Sequence, residues 1–121
     1  NQLENAMAAM KEIASRNLPQ TTANITFKTS YPPMEPTKAN YVLLDKFEAV
    51  NMTLGYGELE PLDPSKRGAA DISFVAPHVD ASLAGMGPDG FGAHSENEGL
   101  DLTSFTKTTT RAAILIYRLT R

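Results

Sequence analysis

Apolar side chains recur at helical spacing in three stretches of the chain and alternate in a fourth. Leu3, Ala6, Met7, Met10, Ile13 and Ala14 share one face of a helix, and Glu4, Lys11, Glu12 and Arg16 share the other. Asn17 and Pro19 end that helix. Residues 23–30 switch to period two, with Ile25 and Phe27 on one side, which predicts a half-buried strand. Pro32, Pro33 and Pro36 then enforce a stiff extended segment with few backbone donors, the natural place for a hinge.

Thr37 is a suitable N-cap for the second helical pattern, Ala39, Val42, Leu43, Leu44, Phe47 and Val50, which Gly55 closes. Residues 55–68 are rich in turn formers. Residues 69–76 fit a short helix or a strand, and periodicity does not choose between them. Residues 79–84 form a weak strand pattern. Four glycines follow within residues 85–92. The last helix is expected to begin near Thr103 or Ser104 and run to the end. Ala112, Ala113, Ile114, Leu115, Ile116, Tyr117 and Leu119 make it apolar around most of its circumference, so it calls for burial on two sides. A helix already under way at the first residue, and a last helix short of cover, give the expectation of a fragment.

Composition narrows the class. The 121 residues are 41% apolar and 21% charged, which excludes an intrinsically disordered chain. Eleven basic against fourteen acidic residues give a net charge of −3, which argues against a nucleic-acid partner. With no cysteine there is no disulfide, zinc ribbon or thiol nucleophile, and the redox compartment stays open: cytoplasmic and exported locations are equally compatible. No apolar run approaches the ~20 residues of a membrane span.

Chemistry concentrates after the glycines. Residues 90–98 read Gly-Phe-Gly-Ala-His-Ser-Glu-Asn-Glu, and an imidazole at the end of such a loop suits a metal ligand or general base. No second ligand stands at the short spacing of a self-contained zinc site, so the partners of His94 are expected elsewhere. Glu98 is placed to support His94 indirectly, and His78, beside Pro77, reads as structural or solvated. Asp71 is positioned to cap the following turn or to orient a neighbouring loop. The sequons at Asn24 and Asn51 fall in predicted regular elements and are discounted.

Residues 66–76, Lys-Arg-Gly-Ala-Ala-Asp-Ile-Ser-Phe-Val-Ala, resemble the Gly-Gly-Ser-Asp-Ala-Asn-Phe block of zinc-dependent aminoacylase/carboxypeptidase-type metallopeptidases. Residues 85–102 resemble the last metal-binding motif of that family: glycine-rich, then Gly-Ala/Tyr-His-Ser/Thr, an acid, and an apolar–Asp–apolar triplet leading into the final helix. Glutamate carboxypeptidases are the nearest likeness, and it runs in order along nearly the whole chain. The resemblance implies an α/β fold, the C-terminal part of a helix-flanked mixed-sheet catalytic domain (residues 31–121) preceded by the last helix and strand of an inserted α+β lid and dimerisation domain (residues 1–30). It implies a parent enzyme in which two zinc ions and a shared water hydrolyse the amide bond of a C-terminal amino acid or N-acyl amino acid. A glutamate takes the proton.

On that resemblance His94 is one zinc ligand, Glu98 and Asp71 support the site, and Ala69, Gly92 and Tyr31 occupy substrate-contacting positions. The general base and the remaining ligands belong to sequence preceding residue 1, so this chain alone is expected to be inactive and to lack a complete zinc site. The partners implied are the rest of the catalytic domain, a peptide or N-acyl amino acid substrate, and a second copy met through the lid. Tyr31 stands where glutamate-specific members place an arginine to grip the substrate carboxylate, which puts glutamate specificity in doubt. The alternative is a stand-alone interaction module, or a non-catalytic remnant of the family, that pairs through its first helix and strand.

Overall fold

In the computed structural model, which describes residues 2–121, helices dominate and the only sheet among the described residues is a two-stranded hairpin. The mixture is α/β in the general sense. The chain divides into two compact units, Asn1–Ser30 and Tyr31–Arg121. The expectation of a helix under way at the first residue includes Asn1, which lies outside the described residues.

In the first unit, α1 spans Gln2–Ser15 and buries no residue fully. Its outer side carries an ion pair from Arg16 to Glu12, one turn apart. The Leu18–Thr21 turn uses Pro19 and a left-handed Gln20, φ 63°. The strand expected over residues 23–30 is not formed. Ile25 and Phe27 are half-buried between exposed neighbours, as a period of two requires, and Lys11 lies 5.8 Å over the Phe27 ring. The alternation is therefore present, but a strand also needs a hydrogen-bonded neighbour, and the described residues offer none to this segment.

In the second unit, α2 spans Lys38–Thr53. Thr37 caps it by accepting from the Asn40 N–H at 3.2 Å. Its other end is closed by two reversed bonds, Gly55 N–H to Met52 O and Tyr56 N–H to Asn51 O, with Gly55 at φ 72°. That closure needs a left-handed residue, which glycine supplies without steric cost. Within residues 69–76 the helical alternative is the one formed, from residue 72 on: α3, Ile72–Val75, runs on into a 3-10 turn, Ala76–His78. The weak strand at 79–84 is irregular instead. The Ser82 N–H donates to the Asn40 side chain at 2.9 Å, so its backbone is held by α2 and not by a ladder. Strands β1, Gly90–Phe91, and β2, Gly99–Leu100, pair antiparallel.

The last helix, α4, spans Leu102–Leu119 and packs on α2. The core is Phe47, Val50 and Leu115, with Leu54, Leu59, Leu83, Met86 and Ile114 against it. The expectation that α4 is buried on two sides is corrected here. Its buried positions are Ser104, Thr108 and Leu115, whereas Leu102, Phe105, Ile116 and Tyr117 are exposed. Polar groups reach the interface because the helix satisfies them itself: Thr108 Oγ1 donates back to Ser104 O at 3.1 Å.

Arg111 turns towards α2 as well, donating to the Asn51 amide oxygen at 3.2 Å and lying over the Phe47 ring. Asn51, only 1% exposed, passes its own amide N–H to Gly57 O at 2.7 Å. Arg118 donates to Thr53 Oγ1 at 3.2 Å. Both cations thus stand at the C-terminal turn of α2, where the helix dipole favours positive charge and α2 has no basic residue of its own.

Candidate functional site: the His94 loop

A seven-residue loop joins β1 to β2 and carries His94. Its closure is local. The Ser95 N–H and Oγ both donate to Gly92 O, at 3.0 and 2.7 Å, and the Glu98 N–H donates to Ser95 O at 3.2 Å. The Asn97 N–H donates to Ser95 Oγ at 3.2 Å. Gly92 must be glycine: φ is 64°, and a Cβ there would stand 2.6 Å from Asn97 O.

His94 itself is left-handed, φ 64°, a conformation costly for a side chain with a Cβ. What holds it is the Glu98 carboxylate, which accepts from the His94 backbone N–H at 3.2 Å. Glu98 therefore acts on the main chain of His94 and fixes the loop. The imidazole is exposed, and no group among the described residues hydrogen bonds to it.

The loop is braced at its base on α4. The Asp101 N–H donates to Asp89 O at 2.8 Å, the Asp89 N–H donates to Ser104 Oγ at 2.8 Å, and Ser104 Oγ donates to Asp101 O at 2.7 Å. Asp101 caps α4 by accepting from the Thr103 N–H and hydroxyl. These two bonds hold its carboxyl below the usual aspartate range. Sequence reasoning placed the helix start one or two residues late and missed this brace. The Asp-x-Thr spacing, an N-cap acid two residues before its donor, was the available signal.

Tyr31 and Asp71 form a second group. The Tyr31 hydroxyl donates to Asp71 Oδ1 at 2.9 Å, and its ring sits 5.3 Å from that of Phe74. That hydrogen bond and the carboxylate's charge raise the Tyr31 hydroxyl above its ordinary pKa. The capping role considered for Asp71 is not formed, because its own backbone is helical, φ −57° and ψ −25°, and its side chain makes no cap bond. Ala69 is exposed in the segment before α3. No hydrogen bond among the described residues joins the Tyr31–Asp71 group to the His94 loop. A cleft of about 290 Å³, lined by Met34, Thr37, Asn40, Pro77 and Ser82 among others, contains neither.

Among the described residues no three histidine, aspartate or glutamate side chains converge on a point where a metal would sit. His94 and Glu98 together do not make a zinc centre, which takes three or four ligands. No family model, characterised protein or solved structure matches the chain.

Proposed function

We propose that this chain is the C-terminal part of a di-zinc hydrolase of C-terminal amino acids or N-acyl amino acids, to which it contributes one zinc ligand, His94. The observation that supports this reading is the loop's economy. Its hydrogen bonds close on its own backbone, a costly φ is held at His94, and the imidazole has no hydrogen-bond partner among the described residues. A left-handed φ held at an exposed imidazole fits a presented ligand. Glu98 positions that ligand through the main chain. Tyr31, bonded to Asp71, offers no cation to a substrate carboxylate, so the reading favours substrates gripped by some other group. The residues present do not complete a zinc site, and no hydrolytic step is assigned to this chain alone.

The test is His94→Ala in the full-length parent protein, read by bound zinc and by hydrolysis of an N-acyl amino acid. Bound zinc and hydrolysis should both fall. Undiminished hydrolysis with two zinc ions bound refutes the ligand role. Zinc-dependent hydrolysis of an N-acyl amino acid by this chain alone would refute the statement that it supplies only one ligand.

One observation favours the second reading, an interaction module: Leu3, Met10 and Ile13 on α1 all lie exposed. Native mass spectrometry showing a defined dimer held by these residues, with zinc binding by the full-length protein indifferent to His94→Ala, would favour it over the hydrolase.

A further inference from the structure

Residues 31–36, Tyr-Pro-Pro-Met-Glu-Pro, begin at the boundary between the two units, which falls after Ser30. Composition offers this segment as the hinge, but its torsions and its contacts point the other way. The rings of Pro32, Pro33 and Pro36 lock φ, and Tyr31, Pro32 and Glu35 each precede a proline, which keeps them out of the helical region. Met34 alone escapes both constraints.

Both ends of the segment are also fastened to the second unit. At its start the Tyr31 hydroxyl donates to Asp71 Oδ1 at 2.9 Å, and the ring lies 5.3 Å from that of Phe74, tilted by 54°. A carboxylate acceptor makes the first contact charge-assisted, and the second is an ordinary tilted aromatic pair. Asp71 and Phe74 are three residues apart, so Tyr31 lies along one side of α3. At the other end, Asn40 Nδ2 donates to Glu35 O at 3.3 Å, while Oδ1 of the same side chain accepts from the Ser82 N–H. Asn40 stands in the first turn of α2, so one side chain ties the segment to α2 and to residues 79–84. These contacts are all made within residues 31–121 and do not depend on what covers the outside of that unit.

We propose that residues 31–36 are a rigid strap belonging to the second unit, with Tyr31 as its fixed end, and that the joint between the two units lies just before it, over residues 28–30. A hinge is a place where φ and ψ change without loss of contacts on either side. A turn taken within residues 31–36 has to break the Tyr31–Asp71 bond, the ring contact with Phe74 or the Asn40–Glu35 bond. A turn taken before Tyr31 breaks none of them. Lys28, Thr29 and Ser30 are neither proline nor followed by one, so their torsions are unrestricted. Asp71 then serves to hold the strap.

The test is double electron–electron resonance on the full-length protein, with spin labels on pairs of introduced cysteines, of which this chain has none of its own. Met34→Cys paired with Met52→Cys spans the strap and α2, where Met52 lies roughly 21 Å along the helix from Lys38. This pair should give a single narrow distance. Ala8→Cys on α1 paired with Met52→Cys spans the joint and should give a broad or divided distribution. Tyr31→Ala, which removes both contacts, should abolish the narrow Met34–Met52 peak. Tyr31→Phe, which keeps the ring and loses only the hydroxyl, should broaden it to a smaller degree. A Met34–Met52 distribution as broad as that of Ala8–Met52, narrow distributions for both pairs, or a Met34–Met52 peak indifferent to Tyr31→Ala would each overturn the proposal. The distances are read without reference to zinc or to His94, so failure here and failure of the zinc-ligand reading are separate results.

Discussion

Replacing Gly92 by alanine should open the His94 loop, and two other glycines serve as controls on the reason. At Gly57, φ is 87° and an added Cβ meets nothing within 4 Å, so alanine there bears only the left-handed penalty, roughly 1–2 kcal/mol. Gly92 bears that penalty at φ 64° and a collision as well, since its Cβ would lie 2.6 Å from Asn97 O and 3.0 Å from Asn97 C. Both atoms are backbone, so relief means parting the two sides of the loop. That separates the bonds from Ser95 to Gly92 O and from His94 N–H to Glu98, each contributing about 1 kcal/mol net. The closed loop should lose about 4–5 kcal/mol, roughly three orders of magnitude in population. Amide exchange reads this directly, because the Ser95 and Glu98 N–H groups are donors inside the closure. Their protection should collapse in Gly92→Ala and persist in Gly57→Ala. Gly99→Ala should leave it largely intact, because its 2.3 Å neighbour is the exposed Phe91 ring, which can swing away. Unchanged protection in Gly92→Ala, or equal loss in Gly99→Ala, would refute backbone closure as the element holding His94.

Arg111→Ala should destabilise the second unit by about 2–3 kcal/mol in urea unfolding, because it leaves the amide oxygen of buried Asn51 without its donor. Arg111→Lys should recover only part of that, since lysine cannot lie flat over Phe47. Phenolate absorbance titrated to high pH should show Tyr31 ionising above the ordinary tyrosine range, and Asp71→Asn should abolish the delay. Since the folded value is raised, the stabilising contribution of the Tyr31–Asp71 bond is complete below the ordinary tyrosine range, about 10. It is lost as pH rises through the folded value.

The helices were legible in the sequence where one local rule decided each end. Thr37 and Gly55 announce α2 because capping chemistry depends on residues a turn apart. Residues 23–30 misled because alternation specifies which side is buried and says nothing of whether a neighbouring strand exists. The candidate site was half legible. His94 and its glycines stood out as residue types, but that Glu98 would hold the His94 main chain depends on a loop path no spacing rule encodes. Tyr31 and Asp71 lie forty positions apart, and only the fold brings them together.

The inversion of α4 shows why hydrophobic pattern alone misjudged its surroundings. A count of apolar residues around a helix tells how much must be covered, and it assumes that the apolar side faces the core. In α4 the last turn of α2 competes for that position with its electrostatics, attracting Arg111 and Arg118 to a helix end whose last turn has no basic residue. The aliphatic stems and planar guanidinium of such residues cover apolar surface while keeping their charge satisfied, as Arg111 does over Phe47. Ser104 and Thr108 enter the same interface at little cost because their hydroxyls bond to the helix's own carbonyls. Leu102, Phe105, Ile116 and Tyr117 are thereby displaced to the outer side. Their exposure is a consequence of how α2 ends.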